Sequence, residues 1–340
     1  MKLPVTPVWR RNRRRVMLPL GSRSVPRRVK GHALALLLLA AVMLACSGLA
    51  HAQPALRVAD QKGLQRALLE ASHALDGLPY RIEWSEFEAA SPLLQALGAD
   101  AVDTGIAGDG PFLFAYGAGL KLHATLAMPP RGAITAVVVA RNSGIRVLAD
   151  LNGKRIATVR GSIGHYLLLK LAGRDGFDLH SVQLVLLSPA QSKTALDSGS
   201  IDAWATWEPY VSLEEAQTGA RVIADGGDFS TNYGFQVATD AAIRDKHAQL
   251  DDFYRRVTRA YAWGNAHPDA YAAIWSKQTG LPLSVSIKIA NTMRTSAVPL
   301  SDAIIAEEKA TLETYHKAGV LPPGGPGIEG AFDRSFTGLN

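Results

Sequence analysis

The feature that most restricts this chain is an alternation that occurs twice. Apolar stretches of strand length take turns with helix-start signals, first over residues 56–140 and again over residues 150–238. In the first block Leu56-Arg57-Val58-Ala59 reads as a strand. Leu64, Ala67, Leu68, Ala71 and Leu75 then fall on one helical face. Tyr80, Ile82 and Trp84 alternate as in a half-buried strand. Ser91-Pro92 reads as an N-cap and first helical position, with Gly98 as the stop. Residues 101–106, 121–127 and 133–140 are strand-like, and Gly110-Pro111 opens a short helix. In the second block residues 150–157 give a short helix, a turn and a strand, and Ser162 begins a helix through Leu167, Leu168 and Leu171. Residues 182–187 form a strand, Ser188-Pro189-Ala190-Gln191 has the form of a capping box, and Gly199 ends that helix. Ala203–Trp207 is a strand, Pro209 starts a helix, and residues 222–224 and 235–238 are strands; from Ala241 onward the chain is nearly all helix. Strands alternating with helices imply parallel pairing, so the fold class is α/β, with two lobes and a cleft between them.

A faint repeat points the same way. Ser91-Pro92 leads through Gly98 to Asp103, and Ser188-Pro189 leads through Gly199 to Asp202. Either the lobes share an origin or the match is coincidence.

Charge is distributed unevenly. The chain has 340 residues with 36 Lys+Arg against 30 Asp+Glu, a net of +6. Ten of the basic residues and none of the acidic ones precede residue 53, so the remainder is mildly acidic. The overall basicity is therefore no argument for nucleic-acid binding. The basic leader runs into 14 apolar residues, Ala33–Cys46, and then Ala50-His51-Ala52, a small-x-small cleavage site. This is the plan of a secretory signal peptide over residues 1–52, with export to the periplasm and Gln53 as the mature start. A span needs about 20 apolar residues. Cys46 leaves a lipoprotein as the alternative. It is the only cysteine, so the exported body has no disulfide and no thiol chemistry.

Reaction signatures are absent. There is no H-E-x-x-H, no G-x-S-x-G, and no pair of histidines four apart on a helix.

In parallel α/β lobes ligands lie beyond the carboxyl ends of strands. Gln61 follows the first strand, and Gly108 and Asp109 follow the strand ending at Ile106. Gly161, Ser162 and His165 follow the strand ending near Val159, and Trp204, Trp207 and Glu208 end another. Gly161-Ser162 is the most informative pair: glycine permits close approach, and amides at a helix start suit an oxyanion. Ser162 could equally be an N-cap, Asp109 a helix cap and His165 a structural histidine. Trp204 and Trp207 are three apart, so one suits the core and the other the cleft wall.

At these residues the chain resembles a known family. Gln61-Lys62-Gly63, Gly108-Asp109-x-Pro111, Asp150-Leu151-x-Gly153-Lys154, Gly161-Ser162-x-x-His165 and the run from Asp202 to Tyr210 are similar to the aliphatic-sulfonate-binding proteins of ABC importers, relatives of nitrate- and taurine-binding proteins. The resemblance covers roughly residues 55–320. It implies a type II periplasmic binding protein (Venus-flytrap) fold, with lobe 1 over 53–141 plus 240–340, lobe 2 over 142–239, and a two-segment hinge near Ala140-Arg141 and Ala238-Thr239. It also implies capture of an organic sulfonate and delivery to a membrane permease, with nitrate, taurine, a thiamine precursor or an aromatic acid as alternative ligands. The resemblance implies a monomeric, cofactor-free binding protein that is not an enzyme. An exported enzyme or a sensor domain is the rival reading. Ala107, Ile163, Gly164 and Glu208 depart from the family pattern, leaving fewer hydroxyls to face an anion.

Overall fold

The computed structural model describes residues 55–129, 132–227, 233–321 and 325–336. The signal-peptide and Cys46 readings lie outside the described residues.

Two five-stranded sheets carry the fold. The first runs β2 (Ile82–Phe87), β1 (Leu56–Gln61), β3 (Thr104–Gly108), β10 (Gly234–Thr239), β4 (Leu122–Met128). The second runs β7 (Gln183–Leu186), β6 (Arg155–Thr158), β8 (Ala203–Trp207), β5 (Thr135–Val139), β9 (Arg221–Asp225). The orders superpose when β1, β2 and β3 are laid on β6, β7 and β8. In each sheet three parallel strands are followed by one antiparallel strand donated from elsewhere in the chain.

The faint repeat is therefore structural. Asp103 accepts from the Arg57 backbone N–H at 2.7 Å and from its guanidinium. Asp202 accepts from the Arg155 N–H at 2.8 Å and from its side chain in the same way. Both aspartates clamp the start of the central parallel strand, at the end away from where ligands bind.

The crossings between sheets differ from expectation. β5 belongs to the second sheet and β10 to the first, so the chain crosses between Met128 and Thr135 and returns between Asp225 and Gly234. The expected crossings near residues 140 and 238 each lie one strand too late. An apolar run such as Thr135–Val139, buried throughout, announces a buried strand but not the sheet that accepts it.

Helices cover both sheets. α1 (Leu64–Ala71), α2 (Ala90–Gly98) and α3 (Asp109–Gly117) follow β1, β2 and β3. α4 (Ile163–Leu171), α5 (Pro189–Asp197) and α6 (Tyr210–Thr218) follow β6, β7 and β8. The expected caps at Ser162 and Ser188 are present: Ser162 Oγ accepts from His165 N–H, and Ser188 forms a full capping box with Gln191. α2 departs from expectation, because Ala89 is its N-cap and Ser91 lies inside the first turn. Pro92 tolerates that place because first-turn amides have no intrahelical acceptor.

The C-terminal region supplies α7 (Asp240–Asp245), α8 (His247–Ala266), α9 (Pro268–Thr279), α10 (Leu283–Thr292) and α11 (Asp302–Lys317). Most of it packs on the first sheet, where Phe253, Tyr254 and Val257 of α8 join Leu56 and Val58 in one core. Among the described residues no helix is long and apolar enough to cross a membrane.

Candidate ligand-binding cleft

The carboxyl ends of β1, β3, β4 and β8 converge on a cavity of about 170 Å³. Its floor includes Gln61, Gly108 and Met128 from the first sheet, and its opposite wall Ser162, Ile163 and Trp207 from the second. A third wall comes from the C-terminal helices, with Tyr261, Tyr271, Ile289 and Met293. Most of the lining is aliphatic or aromatic, which suits an organic body rather than a bare inorganic ion.

Two glycines let the walls meet. A Cβ on Gly108 would lie 2.8 Å from Ile163 Cγ2. Gly161 has φ +68°, and a Cβ there would lie 2.6 Å from Cδ1 of Phe114 on α3. Polar contacts also join the two sides. Tyr210 Oη donates to the Glu88 carbonyl at 2.7 Å, Tyr166 meets Thr311 at 3.2 Å, and Lys288 pairs with Glu215.

The expected site residues divide into two groups. Gln61, Gly108, Ser162, Trp207 and Glu208 line the cavity. Asp109, Gly161, His165 and Trp204 do not, and each has a structural task. Asp109 is fully buried, exchanges hydrogen bonds with the backbone at Tyr233 and accepts from Gly110, so it ties the start of α3 to the chain entering β10. Gly161 donates its N–H to His165 Nδ1 at 3.1 Å. Burial, with Arg160 nearby, pushes the His165 imidazole down to about 4, so it stays neutral and braces the turn. Trp204 is wholly buried against Tyr210, while Trp207 forms the wall.

Ser162 caps α4 and also lines the cavity. Its Oγ accepts from His165 N–H at 3.1 Å as an N-cap and lies 3.4 Å from Thr158 Oγ1. Thr158 gives its own hydrogen to the Ala205 carbonyl, so the Ser162 hydroxyl donates to Thr158 over a long bond that it would leave to meet a ligand. Beside it, the Ile163 and Gly164 N–H groups of the first turn of α4 have no acceptor among the described residues. Glu208 is less free: its carboxylate accepts from the Ser212 N–H at 3.1 Å and hydroxyl at 2.8 Å, and burial raises its pKa. Gln61 donates its side-chain N–H to the Ile106 carbonyl at 2.8 Å. Among the described residues no group of three His, Cys, Asp or Glu side chains could hold a metal ion.

Several lining residues escaped the sequence reading. Lys62 and Tyr210 sit inside motifs quoted for the resemblance but were not singled out. Tyr261 and Tyr271 come from helices far along the chain, and Met293 and Arg294 from the segment after α10, where sequence spacing gives no sign of the cleft.

Two α/β sheets exchanging one strand each, with a cavity at the strand ends between them, define a protein of the periplasmic-binding-protein fold. The chain belongs to the NMT1/THI5-like family, whose pattern matches residues 83–271. It is 31% identical over 272 residues to an aliphatic sulfonates-binding protein of Escherichia coli (strain K12), covering 79% of this chain and 85% of that one. Among solved structures it is similar to the alkanesulfonate-binding protein SsuA from Xanthomonas axonopodis pv. citri bound to MOPS, at 29% identity and a TM-score of 0.78, covering 84% of this chain and all of that one. The desulfurization enzyme DSZB shares the fold alone, at 17% identity and a TM-score of 0.60, covering 83% of this chain and 97% of that one.

Proposed function

We propose that the chain is the substrate-binding component of an ABC importer, working in the periplasm, and that it captures an organic sulfonate in the cleft and passes it unchanged to a membrane permease. The observation that carries this reading is the pairing of an apolar cavity with one anion-ready edge: the Ile163 and Gly164 amides, which have no acceptor among the described residues, at the helix start that Ser162 caps. A helix start favours negative charge, and first-turn amides beside a hydroxyl suit the oxygens of a sulfonate. The apolar walls hold the carbon skeleton.

Lobe 1 is built on the first sheet with the C-terminal helices, and lobe 2 spans Thr135–Asp225. The two crossings act as the hinge, and closure brings α4 onto Gly108. The site supports binding over catalysis because the histidine nearest Ser162 in sequence is committed to the Gly161 amide and held neutral.

A thermal-shift panel of alkanesulfonates, taurine, nitrate and sulfate tests the reading. Ligand at 100 times its Kd stabilises the native state by ~2.7 kcal/mol. A shift with nitrate and none with any sulfonate contradicts it, as does a chemically altered ligand recovered from the protein.

A further inference from the structure

Two cations line the cavity, and neither has a carboxylate partner among the described residues. Lys62, at the end of β1, holds its ammonium 6.0 Å from the centre of the Tyr210 ring. Arg294 follows α10. Its Nη2 donates to the Asn291 side-chain oxygen at 2.7 Å, and its Nε is buried with no acceptor. A guanidinium keeps its charge at any ordinary pH, so burial cannot neutralise it. A buried N–H without an acceptor also carries its full desolvation cost. Arg294 thus lacks a carboxylate counter-charge among the described residues, and its Nε lacks a hydrogen-bond acceptor.

The sheet register places this demand across the cleft from the start of α4. Gly108 pairs with Gly234, and Gly234 pairs on its other side with Met128. At 4.7–4.9 Å per strand, the backbones at Gly108 and Met128 are about 10 Å apart. Ile163 lies over Gly108, and Ser162 precedes it at the same cavity wall. The segment carrying Arg294 lies on the other side, where Thr295 Oγ1 donates to the Pro129 carbonyl at 2.7 Å and Val298 bridges to Ala127. Met128, Ile134 and Met293 provide apolar lining on that side. The carboxylates in the lining do not answer Arg294: Glu208 is committed to Ser212, and Glu88 follows β2 at the opposite edge of the sheet.

We infer that the ligand is a sulfonate bearing a second acid group, with its sulfonate at the start of α4, its apolar body across the cavity and its second acid on Arg294. This rests on the sulfonate reading above and sharpens it to a class, organic anions acidic at both ends. A guanidinium matches a carboxylate in a two-pronged hydrogen bond, which a terminal methyl group cannot make.

Calorimetric titration with hexanesulfonate and 6-sulfohexanoate, on the wild-type protein and on R294Q, tests the inference. The wild type should bind 6-sulfohexanoate about 10- to 150-fold more tightly, the range of one hydrogen bond to a charged group. R294Q should lose that preference while binding hexanesulfonate within about threefold of wild type, since the change leaves the sulfonate contacts intact. Equal binding of both compounds by the wild type overturns the inference and leaves the sulfonate reading standing. Equal weakening of both by R294Q also overturns it, because Arg294 would then hold the sulfonate itself. Binding of neither compound contradicts the sulfonate reading as well. Should R294Q fail to fold, the wild-type ratio still decides whether the preference exists.

Discussion

Substituting Gly161 by alanine separates strain in the turn from contact across the cleft. Gly161 has φ +68°, where an L residue costs roughly 1–2 kcal/mol. That strain is present whether the cleft is open or closed, so it lowers stability alone. The new methyl group would also press on the Phe114 ring, 2.6 Å from Cδ1, and Phe114 belongs to α3, which packs with the first sheet. Overpacking of this kind costs about 1–3 kcal/mol. Opening the cleft relieves it, so the cost falls on the closed, liganded state. G161A should therefore weaken ligand binding about 5- to 150-fold at 1.4 kcal/mol per decade. Gly199 supplies the control, with φ +71° and nothing within 4 Å of its would-be Cβ. G199A should lose a similar strain-derived stability and bind as wild type. The assays are calorimetric titration and denaturant unfolding, with F114A added to complete a double-mutant cycle. F114A should restore most of the affinity lost in G161A. If G161A binds as tightly as G199A, the contact between Phe114 and residue 161 plays no part in closure and the hinge reading loses its support.

Three further outcomes follow. S162A should weaken sulfonate binding about 10- to 150-fold, through a lost hydrogen bond to a charged group, and should also cost about 1 kcal/mol of stability through the lost cap; affinity unchanged from wild type would leave Ser162 only its capping task. Ligand should change the fluorescence of W204F but not of W207F, because Trp207 lines the cavity and Trp204 is sealed in the core; the reverse pattern would contradict the wall assignment. His165 titrates at about 4 when folded, below its ordinary 6.5. The unfolded chain therefore takes up the proton first, and stability is lost as pH falls from about 6.5 toward 4, by an amount on the order of 3 kcal/mol. Asp60, raised to about 6 chiefly by burial, works in the opposite sense, favouring folding at low pH and losing that contribution as pH rises through 6. The pH dependence of unfolding is thus to be compared between wild type and H165Q, and identical slopes would refute the His165 assignment.

What could be read from the sequence was what local chemistry decides. Ser188 with Gln191 makes a complete capping box, and the Asp103 and Asp202 of the faint repeat prove to be matched clamps on Arg57 and Arg155. Trp204 and Trp207 did split between core and wall, but which was which depended on the packing of β8 against α4 and α6. Long-range pairing was not legible. Nothing in Thr135–Val139 or Gly234–Thr239 says that each strand inserts into the sheet of the other half, so both crossings were placed one strand late. Asp109 looked exposed to a ligand because it follows a strand; its carboxylate instead turns to the Tyr233 backbone, 124 residues away. Arg294 was invisible for the same reason, since a lone arginine after a helix shows no sign of a cavity.

The central claim is that a sulfonate sits at the start of α4 between the two sheets. A crystal structure of the protein with hexanesulfonate tests it most directly. The sulfonate oxygens should lie within hydrogen-bond distance, about 2.7–3.2 Å, of Ser162 Oγ and of the Ile163 or Gly164 nitrogen, with the alkyl chain against Trp207. A sulfonate bound elsewhere, or a cleft that stays empty at saturating ligand, would contradict the claim.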